Sequence, residues 1–593
     1  AYLPVRVLFN DSGLSKPEDI YIHDEKIYIA DTGNGRILVN TLEGEHIITI
    51  GEGILESPTS VHVNVNGQIL VADHALSKVA LFTGTGELLK WFDRPESLLF
   101  GQDADFIPRK AVMNPRGNVF VVGEGSYNGM IHLSGQGEFL GFFGTNLVAL
   151  TPLEAIQNAL FTDAQRARLF HRIPKTFANV TLDEDGRVYS VTQAVSGDAI
   201  KRHSVSGRNL LYSMGDMADE ANFVDMTVGD LGKIYAVTET GLIYIYDSDG
   251  NLIFSFGGRA ISDERSGLFT VASGIAIDNN EAIYVLDMER GNVQVFLPTS
   301  FAQLTYQAIG LFENGEYYDG IEIWDEVLRL GGRTRIAHYG MGRSYIQLGM
   351  FEQASSSFYL AQNRMYFSQA FWEIRNVWLQ RNSGNLILLF LSSYGFFLLS
   401  KKALKKETLL LCMKKSINSA LYKFFSDVLF LFRFIKSPVQ SFYFLRIDAR
   451  GSVISATAIY LLGLTVFTFD YLFRGFLFNM RYDANMSVLY VFALFMLPIL
   501  LWVICNYLAS AINEGEGRLK DIYNSVAYSL APFILFMPIV TALSHVATFN
   551  ESFAIDFSGL IIYVWTALLI FIGTKEIHNY ETRDTFKNMA ITL

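Results

Sequence analysis

Between Asp19 and Asp287 the sequence repeats one unit six times: a short apolar strand, a turn carrying Gly or Asn, and a second strand ending in an apolar triplet. The copies are "DIYIHDEKIYIAD", "SVHVNVNGQILVAD", "AVMNPRGNVFVVG", "NVTLDEDGRVYSV", "DMTVGDLGKIYAV" and "GIAIDNNEAIYVLD". Each alternates apolar and polar residues with period two, rich in β-branched and aromatic types, which is the pattern of a half-buried hairpin. Third strands such as "GRILVN" and "GNVQVFL" follow, then fourth strands such as "GNLIFSFGG". Four strands in each repeat of about 40 to 50 residues is the arithmetic of a β-propeller. Residues 1–298 are therefore expected to form six blades. The opening "VRVLF" (Val5–Phe9) is expected to complete the last blade and leave no exposed edge.

The stretches "ADTGNGRI" and "LDMERGNVQVF" resemble NHL-repeat propellers through Asp31, Gly33, Asn34, Arg36, Asp287, Gly291 and Asn292, with Asp73 in the equivalent place of the second copy. Physically, these aspartates suit acceptors for turn amides. Some propellers of this kind are metal-dependent lyases or lactonases, with ligands at the central channel. His23, His46, His62, His74, His132, His171 and His203 lie in this half, but without a paired spacing such as HExxH. No catalytic residue, metal ligand or cofactor is assigned, the ligand-binding residues stay unassigned, and a binding propeller is the expectation. Copies three and four stand about 70 residues apart. The excess, 145–175, contains "TPLEAIQNALFTDAQRARLFHRIPK" and reads as two capped helices inserted between blades.

Residues 299–382 change to helical periodicity. "GEYYDGIEIWDEVLRLG" and "GMFEQASSSFYLAQN" align at a shift of 34 residues. Gly315, Tyr317 and Trp324 in the first unit, and Gly342, Tyr345, Gly349, Ala354, Phe358 and Ala361 in the second, resemble a tetratricopeptide solenoid. Two repeats are few for a free-standing solenoid, so packing on a neighbouring element is expected. A spacer and a peptide-binding groove both remain open.

From 383 the chain turns apolar. Residues 383–400 give 18 residues, about 27 Å of helix, enough to cross a bilayer core. Lys401, Lys402, Lys405, Lys406, Lys414 and Lys415 follow, and the segment 401–451 holds 11 Lys/Arg against three Asp/Glu. By the positive-inside rule that segment is cytoplasmic, placing the propeller outside the cell. Within it, "SDVLFLFRFIKSPVQSFYFLR" reads as an interfacial amphipathic segment. Further spans are expected near 452–477, 486–511, 523–546 and 557–573, all inside a helical domain at 452–593. "SPVQSFYFLR", "GEGRLKDIYNSVAYSLAPFILFMPI" and "GTKEIHNY" resemble the Yip family of multispanning proteins, through Pro438, Gly515, Gly517 and a helix broken by Pro532 and Pro538. The start at "AYLPVRVLF" and the final "NMAITL" leave room for a removed leader and a further helix.

The whole is a multidomain chain: a six-bladed β-propeller, a short α-α solenoid and an α-helical transmembrane bundle. A net charge of −12 argues against a nucleic-acid partner. Only two cysteines occur, so no disulfide framework is available. The spans carry few ionisable residues, chiefly Asp470 and His545 near their ends, and the chain has no P-loop, which argues against a pump or transporter in its own right. Bacterial proteins with a similar arrangement tend to be encoded beside carbohydrate ABC importers. The resemblance implies a non-catalytic accessory subunit in a bacterial plasma membrane, meeting the lipid bilayer, integral permease subunits and an extracellular solute-binding or surface protein. A glycan receptor, with Trp91, Tyr127 and Trp324 stacking on sugars, and a propeller-type surface lyase or hydrolase are the alternatives.

Overall fold

The computed structural model describes residues 1–10, 13–101, 104–146, 175–193, 199–211, 222–260, 265–331, 334–403, 419–447, 451–479 and 487–592. The predicted insertion at 145–175 lies almost wholly outside the described residues, as do Lys405, Lys406, Lys414 and Lys415. The chain forms two compact units, Ala1–Met341 and Gly342–Leu593.

In the first unit, β1 (Tyr2–Leu8) is followed by six antiparallel sheets arranged as blades. Blade 1 is β2 (Asp19–His23), β3 (Lys26–Asp31), β4 (Arg36–Thr41) and β5 (His46–Ile50). Blade 2 is β6 (Pro58–Val63), β7 (Ile69–Asp73), β8 (Lys78–Phe82) and β9 (Leu88–Phe92). Blade 3 is β10 (Pro108–Met113), β11 (Val119–Gly123), β12 (Met130–Leu133) and β13 (Phe139–Phe143). Blade 4 has three strands among the described residues, β14 (Phe177–Leu182), β15 (Val188–Thr192) and β16 (Ile200–Arg202). Blade 5 is β17 (Phe223–Val228), β18 (Ile234–Thr238), β19 (Leu242–Tyr246) and β20 (Leu252–Gly257). Blade 6 takes β21 (Ala272–Ile277), β22 (Ile283–Asp287) and β23 (Asn292–Pro298), and β1 pairs with β23 as its outermost strand. The ring is thus closed by the opening strand, in the place the sequence suggested.

Second strands such as "ILVAD" and "VFVVG" are buried at every position. Each is covered on both faces by neighbouring blades, and the blade-to-blade packing of aliphatic and aromatic side chains, with Phe82 and Val71 fully buried, forms the core.

Beyond β23 come α1 (Ser300–Glu313), α2 (Tyr317–Gly331), α3 (Arg335–Gln347), which spans the unit boundary, and α4 (Phe351–Leu360). Thr299 caps α1. Gly315 (φ +83°) and Gly349 (φ +71°) make the left-handed turns that end α1 and α3, a conformation few other residues adopt without strain. Trp324 is 1% exposed, so it is closed to a sugar, and its indole lies where a side chain at Gly340 would stand. Within the second unit Phe358 fills the space left by Gly342, and Ala354 beside it is fully buried.

The second unit continues with α5 (Arg364–Ala403), one 40-residue helix rather than a separate repeat helix and a separate span. Its apolar stretch is exposed at Ile387, Leu388, Leu389, Phe390 and Phe396. Next come α6 (Ser419–Leu429), α7 (Leu431–Lys436) and α8 (Pro438–Ile447). The predicted interfacial segment is three short helices, which expose Phe425, Leu429, Phe432, Val439 and Tyr443 and also feed the core. Phe430, Phe434, Phe442 and Leu445 are buried in the core of the bundle, with Tyr528 stacked on Phe434.

The bundle itself is α9 (Val453–Phe473), α10 (Val488–Ile512), α11 (Leu519–Ser529), α12 (Ala531–Ser544), α13 (Ser552–His578) and α14 (Thr582–Thr592). Four described stretches are long and apolar enough to cross a membrane: Val453–Phe473, Leu489–Ile512, Leu519–Ser544 and Phe549–His578. The helix break lies at Leu530 (ψ near 0°), with Pro532 in the first turn after it, where its missing N–H costs nothing. Pro538 stays inside a continuous α12, so the expectation of a second break there is corrected.

Candidate functional site

The first strand of every blade faces the central channel, and one column of residues meets at its waist: Asp19, Ser60, Lys110, Asn179, Asp225 and Gly274. In five blades a register shift falls just before this residue, between Pro58 and Ser60, Pro108 and Lys110, Phe177 and Asn179, Phe223 and Asp225, and Ala272 and Gly274. Such a bulge re-aims the side chain that follows it. The column then stitches blade to blade. Asp19 Oδ2 accepts from Val61 N (2.8 Å), Ser60 Oγ from Ala111 N (3.2 Å) and Asp225 Oδ2 from Ile275 N (2.8 Å). Asn179 Nδ2 donates to the Asp225 carboxylate. At Gly274 a side chain would press on Ile20 of blade 1 (3.0 Å to its Cγ2), so the sixth position is bare.

Lys110 reaches across this girdle. Its Nζ lies 2.6 Å from Asp19 Oδ1 and 3.6 Å from Asp225 Oδ1. Asp19 and Asp225 are each 2% exposed. Burial alone would push the Lys110 ammonium down, but the attraction of Asp19 and Asp225 reverses this and raises it. Asp225 is pushed up to about 6, by burial first and by repulsion from Asp19, with Lys110 opposing.

On either side of the girdle the channel widens. One funnel, about 640 Å³, opens among the segments that enter the blades and is lined by Glu18, Arg109, Glu124, Lys175 and Gln193. Here Arg109 stands 3.3 Å from Glu18 and 3.7 Å from Glu124, and His74 3.0 Å from Glu124. The other funnel, about 400 Å³, opens among the hairpin turns and is acidic, with Asp24, Glu25, Asp183, Glu184 and Asp230 at its rim. His62 lies at its floor, its Nε2 3.2 Å from Met113 O, and burial pulls it down to about 4. Among the described residues no three His, Cys, Asp or Glu side chains group as metal ligands would.

The motif aspartates stand at the blade entrances, away from the channel. Asp31 Oδ1 accepts from Ser15 N (2.8 Å), and its Oδ2 from Asn34 Nδ2 (2.8 Å) and Arg36 Nε (2.9 Å). Asp73 takes the amides of Glu56, Ser57 and Leu76, and Asp287 those of Thr270, Val271 and Arg290. Each clamps the segment leading into its own blade. Gly33 packs on Ser15, Gly291 (φ +61°) on Leu14, and Asn292 Nδ2 donates to Asn10 Oδ1. Of the aromatics expected to meet a sugar, Tyr127 is exposed, whereas Trp91 packs on the blade core beneath Lys78.

In the second unit, α4 and α5 are tied to the loops at one end of the bundle. Tyr359 and Phe367 enclose Phe476, Arg364 donates to Asn479 O (2.6 Å), and Arg375 makes a two-pronged pair with Glu551. At the other end Gly515 and Gly517 face His578. Gly517 N donates to His578 Nδ1 (3.2 Å), whose Nε2 donates to Asn506 Oδ1 (3.1 Å), and Asn506 Nδ2 donates to Asn588 Oδ1 (2.8 Å). A Cβ at Gly517 would stand 2.7 Å from Ile577 and 2.8 Å from the His578 ring. Overpacking of this kind costs about 1–3 kcal/mol. Gly517→Val is therefore expected to lower the melting temperature of the detergent-solubilised chain by several degrees, and an unchanged melt would contradict the packing. Pro438 opens α8 at its first position. Lys401 and Lys402 lie in the last turn of α5.

Residues 432–593 match the Yip1 domain family. Among solved structures, a streptogramin B lyase is similar at 11% identity, covering 50% of this chain and 96% of its own, with a TM-score of 0.32. Virginiamycin B lyase from Staphylococcus aureus gives 13% identity, 50% and 99% coverage and 0.31. The β-propeller domain of Cps50 (Swd1) from Myceliophteria thermophila gives 9%, 50%, 100% and 0.33. No curated protein matches the chain.

Proposed function

We propose that this membrane-anchored propeller is a non-catalytic accessory subunit of a bacterial membrane assembly, a carbohydrate ABC importer, in which the propeller and helical pairs engage a partner protein outside the cell. One observation carries the reading: the waist of the channel is occupied by the girdle of Asp19, Lys110 and Asp225, whose polar atoms are spent on holding blades together. A ring locked at its centre is a rigid platform, and its two polar funnels and outer faces are the surfaces left for binding. The four apolar helices supply the anchor. The α4–α5 connection to the bundle loops, through Arg375–Glu551 and Phe476, couples part of the helical region firmly to it. The lysines from Lys401 to Lys415 support an inward-facing basic segment and an external propeller.

Purified from native membranes in mild detergent, the chain is expected to carry permease subunits and a solute-binding protein in stoichiometric amounts. Recovery without either would overturn the assignment.

A further inference from the structure

At the end of the bundle where α9 runs out and α13 begins, a cavity of about 460 Å³ is lined by Asp470, Tyr471, Arg474, Asn479, Phe549 and Asp556, among others. It lies wholly within the second unit and plays no part in the propeller. Asp470 is a carboxylate inside the last turn of an apolar helix, only 8% exposed. Thr541 donates to its Oδ1 at 2.6 Å, and Arg474 Nε stands 3.5 Å from the same oxygen. That Nε is buried and donates no hydrogen bond among the described residues. Asp556, one turn into α13, is exposed on the cavity wall and has no ion pair among the described residues.

Ionised groups at the edge of a bilayer are costly and persist where a partner satisfies them. Here the Arg474 guanidinium, whose Nε is turned toward Asp470, and the exposed Asp556 line one cavity at the end of four membrane-length helices. A simple anion would be repelled by Asp470 and Asp556, and a simple cation by Arg474. A ligand carrying both charges satisfies the set: a phosphate suits the planar guanidinium fork, and an ammonium suits Asp556 and the faces of Tyr471 and Phe549. We propose that this cavity holds the headgroup of a zwitterionic phospholipid, a phosphoethanolamine, with the acyl chains lying along the apolar surfaces of α9 and α13.

The test is native mass spectrometry of the full chain in detergent, titrated with phosphatidylethanolamine or with phosphatidylglycerol of the same chains. Phosphatidylethanolamine is expected to occupy the chain about fivefold more at equal concentration. Arg474→Ala is expected to cut that occupancy about tenfold, and Asp556→Asn to abolish the preference between the two lipids. Equal occupancy by both lipids in the unaltered chain, or unchanged phosphatidylethanolamine occupancy in both variants, overturns the proposal. Soluble phosphoethanolamine, the same chemistry without chains, is expected not to displace the lipid at millimolar concentration. Displacement would overturn the lipid assignment in favour of a free phosphoamine. If Arg474→Ala does not remain monodisperse, the exposed Asp556→Asn decides alone, and a retained preference overturns the proposal.

Discussion

Lys110→Met is expected to destabilise the propeller by about 3–5 kcal/mol, the cost of leaving buried carboxylates without their cation. Asp19 and Asp225 are each 2% exposed and would keep their neutral donors, Ile20 N and Val61 N on Asp19 and Met226 N, Ile275 N and Asn179 Nδ2 on Asp225, but no cation. A loss of this size is a large fraction of a typical folding free energy. Part of it should return in Lys110→Met combined with Asp225→Asn, because one of the stranded charges is then gone. The girdle also sets a pH dependence. The Asp225 carboxyl sits near 6 when folded, above the roughly 3.9 of an unfolded aspartate. The folded chain therefore holds more protons than the unfolded one between those values. Stability from this group is fully present below about pH 4 and is lost as pH rises through 6. Buried His62 and His203, both pulled down to about 4, act in the opposite sense over the same range. The signature of Asp225 is therefore the difference between chains: the melting temperature of the unaltered chain relative to Asp225→Asn should fall from pH 4 to 7. In Lys110→Met the attraction that holds Asp225 down is removed, so the window should move to higher pH. A difference between the unaltered chain and Asp225→Asn that does not change from pH 4 to 7 would contradict this account of the waist.

The ring was readable because its hairpins repeat and alternate with period two, and because "VRVLF" is a strand with no other partner in the sequence. The girdle was present in the same copies: Asp19, Ser60, Asn179, Asp225 and Gly274 each open the quoted repeat, and Lys110 stands just before the third. What hid it is chemistry that does not repeat. A carboxylate, a hydroxyl, an ammonium and an amide share one geometric position, so no residue type marks it, and the pairing of Lys110 with blades 1 and 5 exists only once the ring closes. The conspicuous motif aspartates, Asp31, Asp73 and Asp287, do recur, and they clamp blade entrances instead. In the bundle, hydropathy located four spans, the last of them set eight residues late at its start and five short at its end. It did not reveal that α6 to α8 also feed the core, because mixed apolar and basic composition is the same for a helix on a bilayer surface and for one packed against a bundle. Phe434 and Phe442 become core only through Tyr528 and α13, more than 80 residues later. The break at Leu530 was anticipated from Pro532, whereas Pro538 leaves α12 intact.

Removing residues 1–9 is expected to open the propeller. Burial of Tyr2 and Leu8 contributes about 1.5–3 kcal/mol each, while ordering each residue of β1 costs roughly 1–2 kcal/mol of backbone entropy, so the strand's own net contribution is small. Its effect lies in what it covers. Without it, Asn292–Pro298 becomes an unpaired edge, a template for pairing with another chain. Two ties to α1 go as well: the bond between the Tyr2 and Tyr306 hydroxyls (3.0 Å) and the capping of Ala1 O by Thr299 N (3.0 Å). The truncated chain should therefore elute as aggregates and melt over a broad range, where the full chain is expected to elute as one species and melt in a narrow range. A separate peptide "AYLPVRVLF", which reproduces the register from Tyr2–Pro298 to Leu8–Val293, should restore a monodisperse species. Tyr2→Phe separates strand from hydroxyl: it keeps the edge covered and should cost only about 1 kcal/mol for the lost hydrogen bond. If the truncated chain stays monodisperse with an unchanged melting temperature, ring closure does not depend on β1, and the blades hold together through the girdle and the core alone.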